Sequence, residues 1–124
     1  MNLEDTLKAM VEAAATAANV HWNDLRGFAE QEFRRLSVAG AQIKADLASD
    51  LNDAKRESDP AFRAELERQA KRRAQLAFEG IEVAAGGVVS AASTVAKIAA
   101  QDAVNAALDV LRGAINQSIG FALL

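Results

Sequence analysis

The sequence predicts an all-α protein, and three observations lead to this fold class. Ala, Leu, Glu, Lys, Arg and Gln, which are all good helix formers, dominate the 124 residues. Apolar residues recur at three- and four-residue spacing, and no run alternates apolar with polar residues at the period of a strand. One Pro and seven Gly leave few breaks, so we expect long helices.

The length of the chain is that of one domain, and we expect residues 1–124 to form a single all-helical domain. Hydrophobic residues make up 51% of the chain, which is enough for a core. Because many of them are alanines, which bury little area each, we expect helices to approach one another closely. The net charge of −3 provides no global attraction to nucleic acid or anionic lipid.

A first helix is expected to begin after Asn2, whose side chain is a good N-cap and is followed by two acidic residues in the first turn. Residues 19–24 are ambiguous, because Asn23 or Asp24 can cap a new helix or the first helix can continue. Gly27 and Gly40 follow inside a second apolar stripe. Each weakens the helix by about 1 kcal/mol relative to Ala, which does not have to end it.

The clearest helix stop lies at Ser58, Asp59 and Pro60. Asp59 suits the N-cap of a new helix, and Pro60 suits its first position, where no backbone N–H is needed. We therefore expect the chain to reverse direction here. Gly86 and Gly87 mark a second candidate break.

Reversal at this stop predicts an antiparallel helical hairpin with arms at approximately residues 3–57 and 60–118 and an apolar tail at 119–124. Unbroken arms of about 55 residues would each be roughly 80 Å long and would leave apolar stripes in water, so such a hairpin would have to oligomerise. Breaks at residues 19–24 and at the two glycines would instead produce a four-helix bundle. The sequence leaves both architectures open.

Opposite charges face each other across the predicted reversal. Folding the arms back at residues 58–60 places Asp46 level with Arg72 and Asp50 level with Arg68. An acidic row on the first arm then faces a basic row on the second. We predict these two pairs as ion pairs within the hairpin.

Residues 83–124 are almost free of charge. The chain has 14 Lys and Arg and 17 Asp and Glu residues, yet this segment holds only Lys97, Asp102, Asp109 and Arg112. Small residues recur every four positions in its first half, a spacing that lets helices approach closely. Such a segment has to be covered by the rest of the chain, by another copy or by a hydrophobic surface.

We predict a homo-oligomer interface along this segment. The candidate residues are apolar and recur at helical spacing toward the C-terminal end of the sequence. They are Val88, Ala92, Val95, Ile98, Val104, Leu108, Leu111, Ile115, Phe121 and Leu124.

Several chemistries find no support in the sequence. A di-iron site in a helical bundle needs two Glu-x-x-His motifs, whereas the only histidine is His21. There is no cysteine, no recognisable pattern around a nucleophilic serine and no Gly-rich phosphate loop followed by Lys and Ser or Thr. We therefore expect no enzymatic activity, no cofactor and no metal site.

These observations favour a non-enzymatic structural or assembly protein that acts by homo-oligomerisation. The alternative is an amphipathic protein that associates with a membrane or another hydrophobic surface. A third hypothesis, nucleic-acid binding through the basic residues at 68–73, is weaker because acidic neighbours neutralise them and no aromatic residue lies between them.

The sequence also bears on location. The first residues lack the basic and apolar regions of a signal peptide, and the uncharged run at 83–96 is too short and too weakly apolar for a membrane span. We expect the protein in the cytoplasm or inside an assembled particle. No motif in the chain identifies a known family.

Overall fold

The computed structural model describes residues 1–124, which form four α-helices, a short 3₁₀ turn and no strand. The elements are α1 (Leu3–Ala18), the 3₁₀ turn (Asn19–His21), α2 (Trp22–Lys55), α3 (Pro60–Ala91) and α4 (Lys97–Ile119). The all-α prediction is confirmed.

Helices α1 and α3 begin with the side-chain caps that the sequence predicted. The Oδ1 atom of Asn2 accepts a hydrogen bond from the backbone N–H of Asp5 at 3.0 Å. Asp59 Oδ1 accepts from the N–H of Ala61 at 2.9 Å, and Pro60 occupies the first turn of α3. Each cap satisfies a backbone donor that has no partner inside its helix.

The connection between α2 and α3 is closed by an arginine. Arg63 donates from Nε and Nη2 to the backbone carbonyl of Glu57, at 2.9 and 2.6 Å. This carbonyl follows the end of α2, where partial negative charge accumulates, so a guanidinium is well suited to it. The contact ties the first turn of α3 to the end of α2.

Helices α2 and α4 begin without a side-chain cap. The residue before α2 is His21, so neither Asn23 nor Asp24 acts as the cap, and the residue before α4 is Ala96. Of the two alternatives that the sequence left open for residues 19–24, the structure has the break, because α1 ends where Asn19 adopts φ 53° and ψ −121°.

The candidate break at Gly86 and Gly87, which the sequence left open, is absent. Helix α3 continues through both glycines to Ala91, and the chain turns only at residues 92–96. Two glycines weaken a helix by only about 1 kcal/mol each, and their neighbours Ala85 and Val88 are buried in the core. Packing therefore holds this turn of the helix in place.

The helices associate in two main pairs. Helix α1 packs most extensively on α4, and α2 packs most extensively on α3. Smaller contacts join α1 to α2 and both α2 and α3 to α4, whereas no Cα atom of α1 lies within 8 Å of one in α3. The α1/α4 pair therefore rests on the α2/α3 pair, and buried side chains from all four helices form one core.

The α2/α3 pair is the longer of the two and extends beyond its partner pair. Glu4, at the start of α1, lies 3.2 Å from Arg34 in the middle of α2. Beyond the end of α4, the ring of Phe121 lies under the ammonium group of Lys71, 5.0 Å away. Residues 48–70 consequently project past α1 and α4, and we call this charged segment the tip.

The chain folds back after α4. Gly120 has φ 85°, a left-handed conformation that glycine adopts readily and that ends the helix. Asn116 Oδ1 then accepts from the backbone N–H groups of Leu123 and Leu124, at 3.1 and 2.9 Å. Gln75 Nε2 donates to the carbonyl of Leu123 at 3.3 Å, so the last residues are attached to α3 as well.

Candidate functional site

The end of the molecule opposite the tip exposes four large apolar side chains. They lie in the 3₁₀ turn, the second turn of α2, the loop between α3 and α4, and the first turn of α4. Val20, Val95 and Ile98 are 78–79% exposed, and Phe28 is 49% exposed. We call this region, defined by these four residues, the apolar end. Single exposed apolar residues are ordinary on protein surfaces, whereas a group of them marks an interaction surface.

A groove opens beside Phe28, one member of the apolar end. Its volume is about 440 Å³, and it is lined by Leu25 and Phe28 on α2 and by Val88, Ala92 and Ala96 on and after α3. The lining residues from α3 and the following loop are mostly small, so they leave space that larger side chains would fill. Asp24 is the one charged residue in its wall.

Charge is nearly absent around this groove. Between residues 83 and 101 the only charged side chain is Lys97. Its Nζ atom donates to the backbone carbonyl of Val89 at 3.2 Å, near the end of α3. A cation at this position complements the negative end of the helix dipole. The lysine therefore has a structural role, and Asp24 on α2 is the remaining charged residue in the groove wall.

An exposed stripe on α3 continues from the apolar end. Leu76, Gly80, Val83, Ala84 and Gly87 follow one another at spacings of four, three, one and three residues, and all of them are exposed. The side chain of Val83 is 81% exposed. A β-carbon at either glycine would meet nothing within 4 Å, so the stripe is open to solvent. The uncharged stripe thus extends along about three turns of α3, with the exposed Glu79 and Glu82 beside it.

The predicted interface residues divide into two groups in the structure. Val88, Val104, Leu108, Leu111 and Ile115 are buried in the core of their own chain, because the apolar face of α4 packs on α1 and the other helices. This part of the low-charge segment is therefore covered by the chain itself. Only Val95 and Ile98 are strongly exposed. Ala92 and Leu124 are half-buried, and Phe121 is 37% exposed.

Two members of the apolar end lie outside the predicted set. Val20 belongs to no apolar stripe, and a large apolar residue between two helices is a signal that could have revealed it. Phe28 fits the apolar stripe of α2 in the sequence, yet its ring is half exposed. The helix pairing leaves this side of α2 uncovered, and sequence spacing alone does not contain that information.

The predicted ion pairs do not form. Asp50 is paired with Arg73, at 3.0 Å, rather than with Arg68. Arg68 instead pairs with Glu65 on its own helix. The side chain of Asp46 accepts a hydrogen bond from Gln42. The pairing of the arms is therefore shifted by five residues along α3 relative to the prediction.

The shift has a local cause at the connection. Helix α2 already ends at Lys55, and α3 begins at Pro60, so the intervening residues and the first turn of α3 together make the crossover. The bond from Arg63 to Glu57 fixes this arrangement. The reversal is consequently centred inside α3 rather than at the proline.

Most of the basic residues at 68–73 have partners within the chain. Arg68 bonds to Glu65 through Nε at 3.0 Å, Arg73 pairs with Asp50, and Lys71 lies over Phe121. The hydrogen bond from the Arg68 guanidinium lowers the pKa of the Glu65 carboxyl, and the carboxylate in turn raises the pKa of Arg68. Among the four basic side chains, Lys71 and Arg72 have no carboxylate within 4 Å.

Other kinds of site are not apparent. No three His, Asp or Glu side chains converge in a way that could hold a metal ion. None of the four helices combines the length and the apolar character that crossing a membrane requires. Comparisons with protein-family models, with curated proteins and with solved structures found no match to this chain.

Proposed function

We propose that this chain is a non-enzymatic assembly protein, a compact four-helix bundle that homo-oligomerises through its apolar end. The observation that carries the proposal is that Val20, Phe28, Val95 and Ile98 are exposed at the same end of the molecule, where Phe28 also lines a mostly apolar groove. Removing such side chains from water is favourable by roughly 25 cal/mol for each Å² of apolar surface. Another copy of the same surface provides a partner of matching character.

The distribution of charge supports association by this end in particular. The tip carries acidic and basic residues on both of its helices, whereas the opposite end carries fewer: Asp24 and Arg26 at the start of α2, and Lys97 as the only charged residue between 83 and 101. Burying the tip would remove many charges from water at a high desolvation cost, so the tip is expected to stay solvated. Association through one end of each copy produces a closed, two-fold symmetric dimer rather than an open filament.

The test is the molar mass of the protein in solution as a function of concentration. Sedimentation equilibrium of the unaltered chain is expected to show an average mass above that of the monomer. The fraction of chains in the dimer should rise with concentration. Ile98→Glu places a carboxylate in the apolar end and is expected to shift the protein to monomer. The helix itself tolerates this change, because an acidic residue in the first turn of α4 is favoured by the helix dipole.

Val38→Glu is the matched control. Val38 is 54% exposed on α2 but lies away from the apolar end, so this variant should keep the mass of the parent protein. Circular dichroism should show that both variants retain the same helix content. A parent protein that remains monomeric over the whole concentration range would contradict the proposal.

The charge-free stripe on α3 favours one alternative, association with a lipid or another hydrophobic surface. Leu76, Gly80 and Val83 form an exposed stripe that runs toward the apolar end, with Glu79 and Glu82 beside it. Vesicle flotation separates the two functions. Co-flotation with neutral vesicles that Val83→Glu abolishes, while the dimer mass is unchanged, would favour the lipid function over self-association.

A further inference from the structure

Both connections between the two helix pairs lie at the apolar end. Helix α1 continues into α2 through Asn19–His21, and α3 continues into α4 through residues 92–96. Since α1 packs mainly on α4 and α2 mainly on α3, each pair has its own internal interface. Straightening the two connections would therefore move the α1/α4 pair away as a unit while both internal interfaces persist.

The first connection is strained. Asn19 holds φ 53° and ψ −121°, a conformation that favours glycine over a residue with a side chain. The strain is present only while α1 folds back on α2. It is relieved when Asn19 becomes part of a continuous helix.

The helices that begin at the two connections differ from the other two helices in how they are capped. Helices α1 and α3 begin with Asn2 and Asp59 as side-chain caps, whereas α2 and α4 begin at the two connections without any. Straightening a connection therefore breaks no side-chain N-cap, although straightening residues 92–96 separates Lys97 from the carbonyl of Val89.

We infer that two copies of this chain exchange their α1/α4 pairs, so that the pair from each copy packs on the α2/α3 pair of the other. The inference rests on the proposed function and specifies how the copies associate. The contacts are those already made within one chain, now formed between two. Exchange of an identical element is a low-cost route to a dimer, and short strained connections promote it.

The available surface area also favours exchange over simple docking. Four exposed side chains offer on the order of 400 Å² of apolar surface, about half of the roughly 800 Å² per partner that a typical stable interface buries. Exchange adds the interfaces of α1 with α2 and of α4 with both α2 and α3. In an exchanged dimer the two apolar ends meet at the symmetry axis, so their side chains are covered as well.

Cross-linking within the dimer tests the exchange. The chain has no cysteine, so two engineered cysteines are the only thiols with which a cross-linker can react. Glu4→Cys with Arg34→Cys places two thiols where an exposed ion pair joins α1 to α2, and losing such a pair costs little stability. The dimer is isolated by size exclusion, treated with a short bismaleimide and run on a denaturing gel. Exchange predicts a band at the mass of two chains.

The control pair is Asp50→Cys with Arg73→Cys, which joins α2 to α3. This contact stays within one chain whether or not the pairs exchange, so the cross-linked product should run as a single chain. If both double variants run as single chains, the dimer forms without exchange, and the inference fails while the proposed function stands. If no dimer can be isolated at any concentration, both fail.

Two substitutions of Asn19 provide a second test, because they are expected to change the dimer association constant in opposite directions. Asn19→Ala makes the closed conformation harder to adopt and favours a continuous helix, so the dimer association constant should rise by about tenfold. Asn19→Gly relieves the strain of the closed monomer and should lower the constant. Equal association constants for the two variants would overturn the inference.

Discussion

A β-carbon built on Gly40 would lie 2.8 Å from the Cδ1 atom of Leu111 and 3.2 Å from the Cδ1 atom of Ile115. Helices α2 and α4 therefore approach each other so closely at Gly40 that an added methyl group would force the end of the Leu111 side chain to shift. Gly40 is itself buried, and Leu111 and Ile115 are fully buried in the core. The position that weakens α2 in isolation is thus one that lets α4 dock.

Gly40→Ala is expected to lower the free energy of unfolding by about 1 kcal/mol. Forcing a methyl group into a packed core costs typically about 1–3 kcal/mol, and replacing glycine inside a helix returns about 1 kcal/mol. The steric effect is the larger because the obstructing atoms belong to buried side chains. Urea denaturation followed by circular dichroism measures the difference.

The matched control for this change is Gly27→Ala on the same helix. Gly27 is exposed, and a β-carbon there meets nothing within 4 Å, so only the gain in helix propensity remains. This variant should be more stable than the parent by roughly 0.5–1 kcal/mol. If both alanine variants are stabilised equally, the close approach of α2 and α4 is not as described.

Asp59→Ala is expected to destabilise the protein by about 1 kcal/mol, because the N–H groups of Ala61 and Phe62 lose the carboxylate that accepts from them. Asp59→Asn keeps an oxygen in the same place and should change the stability far less. Thermal unfolding of the two variants measures the difference. A loss for asparagine as large as that for alanine would show that the negative charge, rather than the cap, matters.

The sequence predicts those features of the fold that depend on neighbouring residues. Asn2 and Asp59 act as caps because the bonds they make reach only two or three residues along the chain. Pro60 marks the start of α3 because its missing N–H is tolerated only in the first turn. These rules need no knowledge of the partner helix, and the structure confirms each of them.

Features that depend on how the helices pair are predicted less well. Gly86 and Gly87 resemble a break until Ala85 and Val88 are seen to be buried against other helices. The five-residue shift between Arg68 and Arg73 as the partner of Asp50 arises from the crossover, which helical spacing does not encode. For the same reason the sequence could not separate the buried part of the low-charge segment from the exposed Val95 and Ile98.

The Glu65 carboxyl is expected to titrate below its ordinary value of 4.5, because Arg68 donates hydrogen bonds to its charged form. Carboxyl carbon NMR chemical shifts followed through a pH titration measure this pKa directly. In Arg68→Gln the pKa should rise toward its ordinary value. An unchanged pKa in that variant would show that the pair does not persist in solution.

The sign of the effect on stability follows from the direction of this shift. The pKa of Glu65 is lower in the folded state than in the unfolded state. The pair therefore contributes to the free energy of unfolding above the unfolded-state pKa, and this contribution is lost as the pH falls through the folded-state pKa. Arg68→Gln should therefore lower the melting temperature slightly at neutral pH. Both proteins should melt alike below the pKa of Glu65. The neutral-pH effect is small, since both side chains are exposed to solvent.

A double-mutant cycle at Asp50 and Arg73 tests the pairing of α2 with α3. Their side chains lie 3.0 Å apart and are 32% and 61% exposed, so the coupling energy should be about 0.2–1 kcal/mol. The cycle compares Asp50→Asn, Arg73→Gln and the double variant by urea denaturation. The parallel cycle of Asp50 with Arg68 should give a coupling near zero, because Arg68 is bound to Glu65. A larger coupling to Arg68 than to Arg73 would restore the register that the charge pattern suggested and would move the reversal back to the proline.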